Sequence, residues 1–105
     1  MSEGFGLVVR FVLRDEQAAQ GFDELVARTA AGIRESEPQT LAYVVHGVPG
    51  EPLVRVFYEL YADRAAFEAH ERQPHTRRFL AERERYLAAT EVTFLDVLGG
   101  KRGQW

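Results

Sequence analysis

Two histidines and one glutamate carry the clearest chemical signal in this sequence. His70 and His75 follow Glu59, which lies in an apolar, aromatic segment. An imidazole titrates near neutral pH, and a carboxylate desolvated among aromatic rings has a raised pKa, so each could act as a general base. We predict that these three residues are catalytic. The alternatives are a surface or capping role for the histidines and a salt bridge from Glu59 to Arg10 or Arg55.

The spacing of the two histidines does not indicate a metal site. His70 and His75 are separated by a proline, unlike the paired histidines of a helical zinc motif. His46 would have to join them from another part of the sheet. The chain has no cysteine that could supply a thiolate ligand. We therefore expect no metal.

Aromatic side chains surround the predicted bases in the sequence and are candidates for the wall of a pocket. The predicted substrate-binding residues are Tyr43, Phe57, Tyr58, Tyr61, Phe67, Phe79 and Tyr86. A tyrosine can orient a ligand, but on a strand it is more often a core residue whose hydroxyl is hydrogen-bonded. The phenylalanines are likewise more often core residues than parts of a pocket. Strand alternation leaves open which tyrosines converge.

The composition is that of one acidic globular domain. The chain has 105 residues, a formal net charge of −3 at pH 7 and no cysteine. The negative charge argues against nucleic acid or an anionic membrane as a partner. No apolar run is long enough to span a bilayer. The absence of cysteine and of a secretion signal at the N-terminus fits a cytoplasmic location.

Four short segments rich in β-branched and aromatic residues are typical of strands. These segments are 6–13, 40–48, 53–61 and 91–98. Asp15 is a suitable N-cap for a helix between the first two strands. Asp63 caps a short helix that extends to about His70. Pro74 suits the first position of a further helix, which we predict to include Tyr86 and Leu87.

The order strand, helix, strand, strand, helix pair, strand predicts an α+β, ferredoxin-like split β-α-β fold. Its four-stranded antiparallel sheet would carry helices on one face only. The other face would still present apolar side chains from every strand, and an apolar surface of that size is normally covered. We therefore predict a homodimer that packs through this sheet face. The chain would be a single domain, 1–105, with a core of about 5–98 and a polar tail, 99–105.

The motifs around the third strand resemble those of a known family. Val56–Tyr61 is followed by Asp63–His70 and then by Pro74–His75, and Thr40–Tyr43 matches in the second strand. Together with the order of elements, these segments resemble the antibiotic biosynthesis monooxygenase domain, of the dimeric α/β-barrel superfamily. The resemblance covers about residues 5–98.

The resemblance implies oxygenation of a small aromatic, polyketide-like or quinol substrate by dioxygen. It also implies that no metal, flavin or haem is needed, because an electron-rich phenolate can itself reduce dioxygen. We therefore expect no cofactor. The protein would deprotonate the substrate through His70, His75 or Glu59, hold it in a dry pocket and stabilise the anion.

Other functions of the same architecture are alternatives. Haem-degrading members of the superfamily, and some cofactor-free members, look to be built around an asparagine and a tryptophan near the pocket. This chain has no asparagine and only Trp105 in its tail, so we do not expect haem degradation. Any oxygenase mechanism would rest on the histidine, tyrosine, glutamate and arginine residues that remain. RNA-recognition domains share the strand order but need a basic surface. The main alternative is a non-catalytic dimeric α/β-barrel protein that binds a small molecule.

Overall fold

The protein folds as a four-stranded antiparallel sheet with helices on one face. The computed structural model describes residues 4–101; residues 1–3 and 102–105, with Trp105, lie outside this range. The elements are β1 (Phe5–Leu13), α1 (Glu16–Ser36), β2 (Thr40–Val48), β3 (Glu51–Tyr61), α2 (Arg64–Arg72), α3 (Pro74–Glu82), a 3₁₀ turn (Arg83–Arg85) and β4 (Leu87–Asp96). The strand order is β2-β3-β1-β4, and all neighbours are antiparallel. This confirms the predicted α+β, ferredoxin-like fold.

Local signals in the sequence set where the helices begin. The Asp15 side chain accepts a hydrogen bond from the backbone N–H of Ala18 at 2.8 Å. Asp63 caps α2 in the same way, through the N–H of Ala66 at 2.8 Å. Pro74 is the first residue of α3, where its missing N–H costs no helical hydrogen bond. Asp15 and Asp63 thus mark the points where the chain leaves a strand and begins a helix on one face of the sheet, and Pro74 marks where the second helix of the pair begins.

The last strand begins earlier than predicted. It starts at Leu87 rather than Glu91, and the predicted third helix ends before Tyr86. Leu87 is buried and pairs with Leu13 of β1, next to a register shift. The prediction was wrong here because apolar spacing in so short a run cannot separate the end of a helix from the start of a strand.

The core lies between the sheet and the helices. Four phenylalanines from different elements meet at its centre: Phe11, Phe22, Phe57 and Phe79. The ring centroids of Phe11 and Phe57 are 4.8 Å apart, and those of Phe11 and Phe22 are 5.1 Å apart. This edge-on and tilted packing anchors α1 and α3 to the strands that carry the functional groups.

The other face of the sheet carries no helix. Its central row consists of Val44, Tyr58, Val8 and Thr93, which are cross-strand neighbours in register. Val44 is 45% exposed. No helix within residues 4–101 is long and apolar enough to cross a membrane.

Candidate functional site

A buried carboxylate at the end of α1 binds both predicted imidazoles. Oε1 of Glu37 lies 2.8 Å from Nδ1 of His70, and Oε2 of Glu37 is hydrogen-bonded to Nε2 of His75. The hydroxyl of Thr40 also donates to Oε1, at 2.7 Å. The Glu37 side chain is only 4% exposed. The two histidines are therefore linked through a third residue rather than to each other.

The environment of this cluster determines its protonation. Burial alone would raise the pKa of Glu37, but the hydrogen bonds from Thr40 and His75 and the influence of His70 hold its pKa below the usual range. Burial lowers the pKa of His70 despite the opposing effect of Glu37. An ionised carboxylate can only accept, so Nδ1 of the neutral His70 ring carries the proton and Nε2 keeps its lone pair.

A second buried carboxylate, Glu59, lies on the helical face of β3. Its residue exposure is 7%. Tyr61, on the same face of the strand, donates its hydroxyl hydrogen to Oε1 of Glu59 at 2.6 Å. Burial raises the pKa of Glu59 to about 7, although the Tyr61 hydrogen bond and the charge of Arg83 act in the opposite direction. This carboxyl group can therefore exchange its proton near neutral pH.

The salt bridge considered for Glu59 does not form with either arginine. Arg10 lies on the opposite face of the sheet and pairs with Glu51 at 3.4 Å. Arg55 lies on the helical face but pairs with Asp23 of α1 at 2.9 Å. Glu59 is therefore held by the Tyr61 hydroxyl rather than by Arg10 or Arg55.

Glu59 and His70 line one cavity between the sheet and the helices, here called the inner cavity, of about 150 Å³. Three predicted aromatic residues share this wall: Tyr43, Phe67 and Phe79. Tyr43 is the cross-strand partner of Glu59, and its ring centroid lies 6.0 Å from that of His70. Burial and the nearby Glu59 raise the pKa of Tyr43, so its hydroxyl remains a donor.

The other predicted site residues do not line the inner cavity. Phe57 is part of the core, and Tyr61 binds Glu59 and also packs against His70, with the two ring centroids 5.1 Å apart. His75 packs against α1 and binds Glu37. Tyr86 packs against Gly21 of α1. Tyr58 lies on the opposite sheet face, in register with Val8.

A larger hollow of about 370 Å³ lies on the outer side of the same cluster, where α1 ends and α2 begins. Glu37 and His70 contribute to its wall, together with short side chains such as Ala65 and Ala69. It contains no aromatic residue and no Glu59. The inner cavity is the better candidate for an aromatic ligand because its wall combines aromatic rings with an imidazole, His70, and a carboxyl group, Glu59.

A family model described as antibiotic biosynthesis monooxygenase matches residues 5–82. The chain belongs to this family. The matched range contains both carboxylates of the site, Glu37 and Glu59, and both imidazoles, His70 and His75. No curated protein matches the chain in sequence.

Solved structures share the fold of this family member at low sequence identity. A proposed antibiotic biosynthesis monooxygenase from Caulobacter crescentus CB15 is 23% identical, with a TM-score of 0.86 over 93% of this chain and 92% of that chain. One from Nitrosomonas europaea is 18% identical, with a TM-score of 0.81 over 93% of each chain. At these identities the likeness shows the fold alone.

Two residues of the candidate site were missed by sequence reasoning. Glu37 precedes Pro38, a position that favours an extended backbone, and nothing in the sequence indicated its partners. Arg83, which was not among the predicted site residues, lines the inner cavity. It follows Phe79 by four residues, so helical spacing could have placed it on the buried side. No group of three or more histidine, aspartate or glutamate side chains in residues 4–101 has metal-binding geometry.

Proposed function

We propose that this protein is a cytoplasmic, cofactor-independent monooxygenase that oxidises a small aromatic, polyketide-like or quinol substrate. One observation carries the proposal. His70 and Glu59, each held by another buried side chain, converge on a single cavity with aromatic walls. Membership of the antibiotic biosynthesis monooxygenase family supports the reaction class.

His70 is the proposed base. Its Nδ1–H donates to Glu37, so the lone pair on Nε2 is free to take a phenolic or enolic proton from the substrate. The imidazolium that forms would lie 2.8 Å from an ionised carboxylate, which stabilises the new charge. Of the three bases predicted from the sequence, His75 is the least suited because it does not line the inner cavity.

The proton transfer leaves an electron-rich anion that can react with dioxygen. One oxygen atom enters the substrate and the other leaves as water, while the substrate loses two hydrogens and supplies all four electrons. The reaction therefore balances without an external reductant. The task of the protein is to form the anion and keep it dry.

Glu59 and Tyr43 are the proposed stabilisers of that anion. The pKa of Glu59, about 7, means that a large fraction is protonated at neutral pH and can donate a hydrogen bond. Tyr43 remains a donor for the reason given above. Donors fixed in a buried site stabilise developing negative charge more strongly than water does.

A non-catalytic binding protein is the second candidate, and the size of the inner cavity favours it. At about 150 Å³ the cavity is smaller than a typical small-molecule site of about 300 Å³ or more. A protein that holds one small ring without oxidising it would need no more space.

Oxygen uptake by the metal-stripped protein, measured with a panel of phenols and quinols, tests the proposal. We expect uptake in the wild type, a loss of about 10²-fold or more in His70→Gln, and no change in His46→Gln. His46 is an exposed histidine on β2 and serves as the matched control. A wild type that consumes no more oxygen than buffer across the panel contradicts catalysis, and a modest loss of affinity in His70→Gln then favours the binding protein.

We also propose that two copies pack through the sheet face without helices. The apolar row that contains Val44 and Tyr58 supports this arrangement, since burying it in an identical partner removes it from water. Sedimentation should give a dimer for the wild type and a monomer for Val44→Asp. Val45→Asp, the neighbouring substitution on the opposite face of β2, should remain dimeric. A monomeric wild type would exclude this packing.

A further inference from the structure

The 3₁₀ turn after α3 places one arginine in the wall of the inner cavity. The guanidinium carbon of Arg83 lies 5.8 Å from the ring centroids of both Phe11 and Phe79. The Arg83 side chain is 24% exposed, whereas Arg85, two residues later, is exposed to solvent. Arg83 therefore differs from the solvated arginines of the same segment.

The guanidinium of Arg83 has an unused donor. Its Nε is buried and has no hydrogen-bond partner among the described residues, 4–101. Nε forms an ion pair with Oε2 of Glu84, but the distance of 3.8 Å is too long for a hydrogen bond, and the Glu84 side chain is 73% exposed. A buried charged N–H without an acceptor is costly, so a ligand that supplies one gains affinity.

We propose that the inner cavity takes an aromatic ligand that carries a carboxylate, and that Arg83 binds this carboxylate. The inference rests on the proposed function and narrows its substrate class. A planar carboxylate matches the guanidinium in charge and geometry, and the aromatic ring of the ligand fits the phenylalanine-lined wall. A neutral phenol would supply no anionic acceptor to the buried Nε–H.

The acids that share the cavity do not prevent this binding. Glu59 accepts a hydrogen bond from Tyr61 and makes no ion pair with Arg83. As an anion enters, Glu59 can take up a proton, because its pKa lies at about 7. Glu71, the other acid in the wall, is exposed to solvent. Arg83 thus supplies a positive charge beside the aromatic rings of the cavity wall, and this charge can attract a carboxylate.

A pair of probes that differ by one carboxylate tests the proposal. Salicylate and phenol are titrated separately, without oxygen, into ¹⁵N-labelled protein and followed by NMR. We expect salicylate to bind about tenfold more tightly than phenol, and this preference to fall below about threefold in Arg83→Gln. Arg85→Gln, the exposed control, should keep the full preference.

The side-chain Nε–Hε signal of Arg83 gives a second readout that needs no variant. Salicylate should shift this signal, phenol should not, and the Nε–Hε signal of Arg85 should stay in place. Equal affinity for the two probes, or a preference that survives in Arg83→Gln, would overturn the proposal. Because these titrations need no turnover, their outcome is independent of whether the protein consumes oxygen.

Discussion

Glu37 holds the His70 ring through an Oε1–Nδ1 hydrogen bond of 2.8 Å, across 33 residues of sequence. Glu37 follows α1 directly, and His70 lies in the last turn of α2. The bond therefore ties the end of one helix to the end of another, and it fixes which imidazole nitrogen carries the proton. Three of the four predictions below follow from the two buried carboxylates of the site, and the fourth concerns the packing of His75.

Replacing Glu37 with glutamine should destabilise the protein and impair the base. The amide cannot accept hydrogen bonds from both imidazoles, because one side of it is a donor. We expect the free energy of unfolding, measured with urea, to fall by about 3 kcal/mol. Glu35→Gln, an exposed substitution in the last turn of the same helix, should change it by less than about 0.5 kcal/mol. Equal stability of the two variants would show that the Glu37 cluster contributes nothing to folding.

Replacing Glu59 with glutamine should change how stability depends on pH. The pKa of Glu59 is about 7 in the folded protein, against a reference value of 4.5, so the folded state binds more protons between these values. The contribution of Glu59 is thus fully present below pH 4.5 and is lost as the pH rises through 7. This loss amounts to about 3 kcal/mol and is absent from Glu59→Gln.

The free energy of unfolding of Glu59→Gln relative to wild type should therefore rise by about that amount from pH 4.5 to 8. The lowered pKa of His70 makes the free energy of unfolding increase with pH below the pKa of His70 in the unfolded state. His70 is present in both proteins, so this effect cancels in the comparison. For Glu24→Gln, an exposed substitution on α1, the curve of unfolding free energy against pH should be parallel to that of wild type. A parallel curve for Glu59→Gln would mean that its carboxyl group is not desolvated.

Replacing Gly32 with alanine should destabilise the protein, although alanine is the better helix former. A Cβ at Gly32 would lie 2.5 Å from Nδ1 and 2.6 Å from Cγ of His75, so the ring would have to leave Glu37. We expect a loss of about 1–3 kcal/mol in chemical denaturation. In a His75→Ala background the same change should stabilise by up to about 1 kcal/mol. A stabilising effect in the wild-type background would contradict this packing.

Replacing Tyr61 with phenylalanine should raise the pKa of Glu59 further. The hydrogen bond from the Tyr61 hydroxyl stabilises the ionised carboxylate and so lowers the pKa of Glu59. Without this hydrogen bond, burial raises the pKa further. The NMR titration midpoint of the Glu59 carboxyl carbon should move to higher pH, with a stability loss of about 1–3 kcal/mol. Tyr58→Phe, on the opposite face of the sheet, should leave the midpoint unchanged. A midpoint that stays in place in Tyr61→Phe would contradict the hydrogen bond.

The fold was predictable because its signals are local. Asp15, Asp63 and Pro74 mark helix starts through their own chemistry. The four strands were recognisable from their β-branched and aromatic residues. The start of β4 at Leu87 was not predictable from spacing, since its first residue continues the apolar pattern of the preceding helix.

The site was only partly predictable because its connections are not local. Sequence reasoning selected His70 and Glu59 by residue type, and both line the inner cavity. It grouped the two histidines with Glu59 as the catalytic residues, whereas the carboxylate that the histidines contact is Glu37. Contacts across 33 residues depend on how α1 docks on the sheet, and no pattern within a short segment encodes that docking.

The boundary of the family match has a consequence for ligand choice. The match ends at residue 82, so Arg83 and the exposed Val92 and Phe94, which form one side of the inner cavity, lie beyond it. The proposed base and anion stabilisers therefore lie within the matched range, whereas Arg83, proposed to bind a carboxylate, lies beyond it. Exchanging residues 83–96 with those of a relative should transplant ligand preference while leaving the imidazole–carboxylate cluster intact. New specificities could arise in this lineage without any alteration to the groups that move protons.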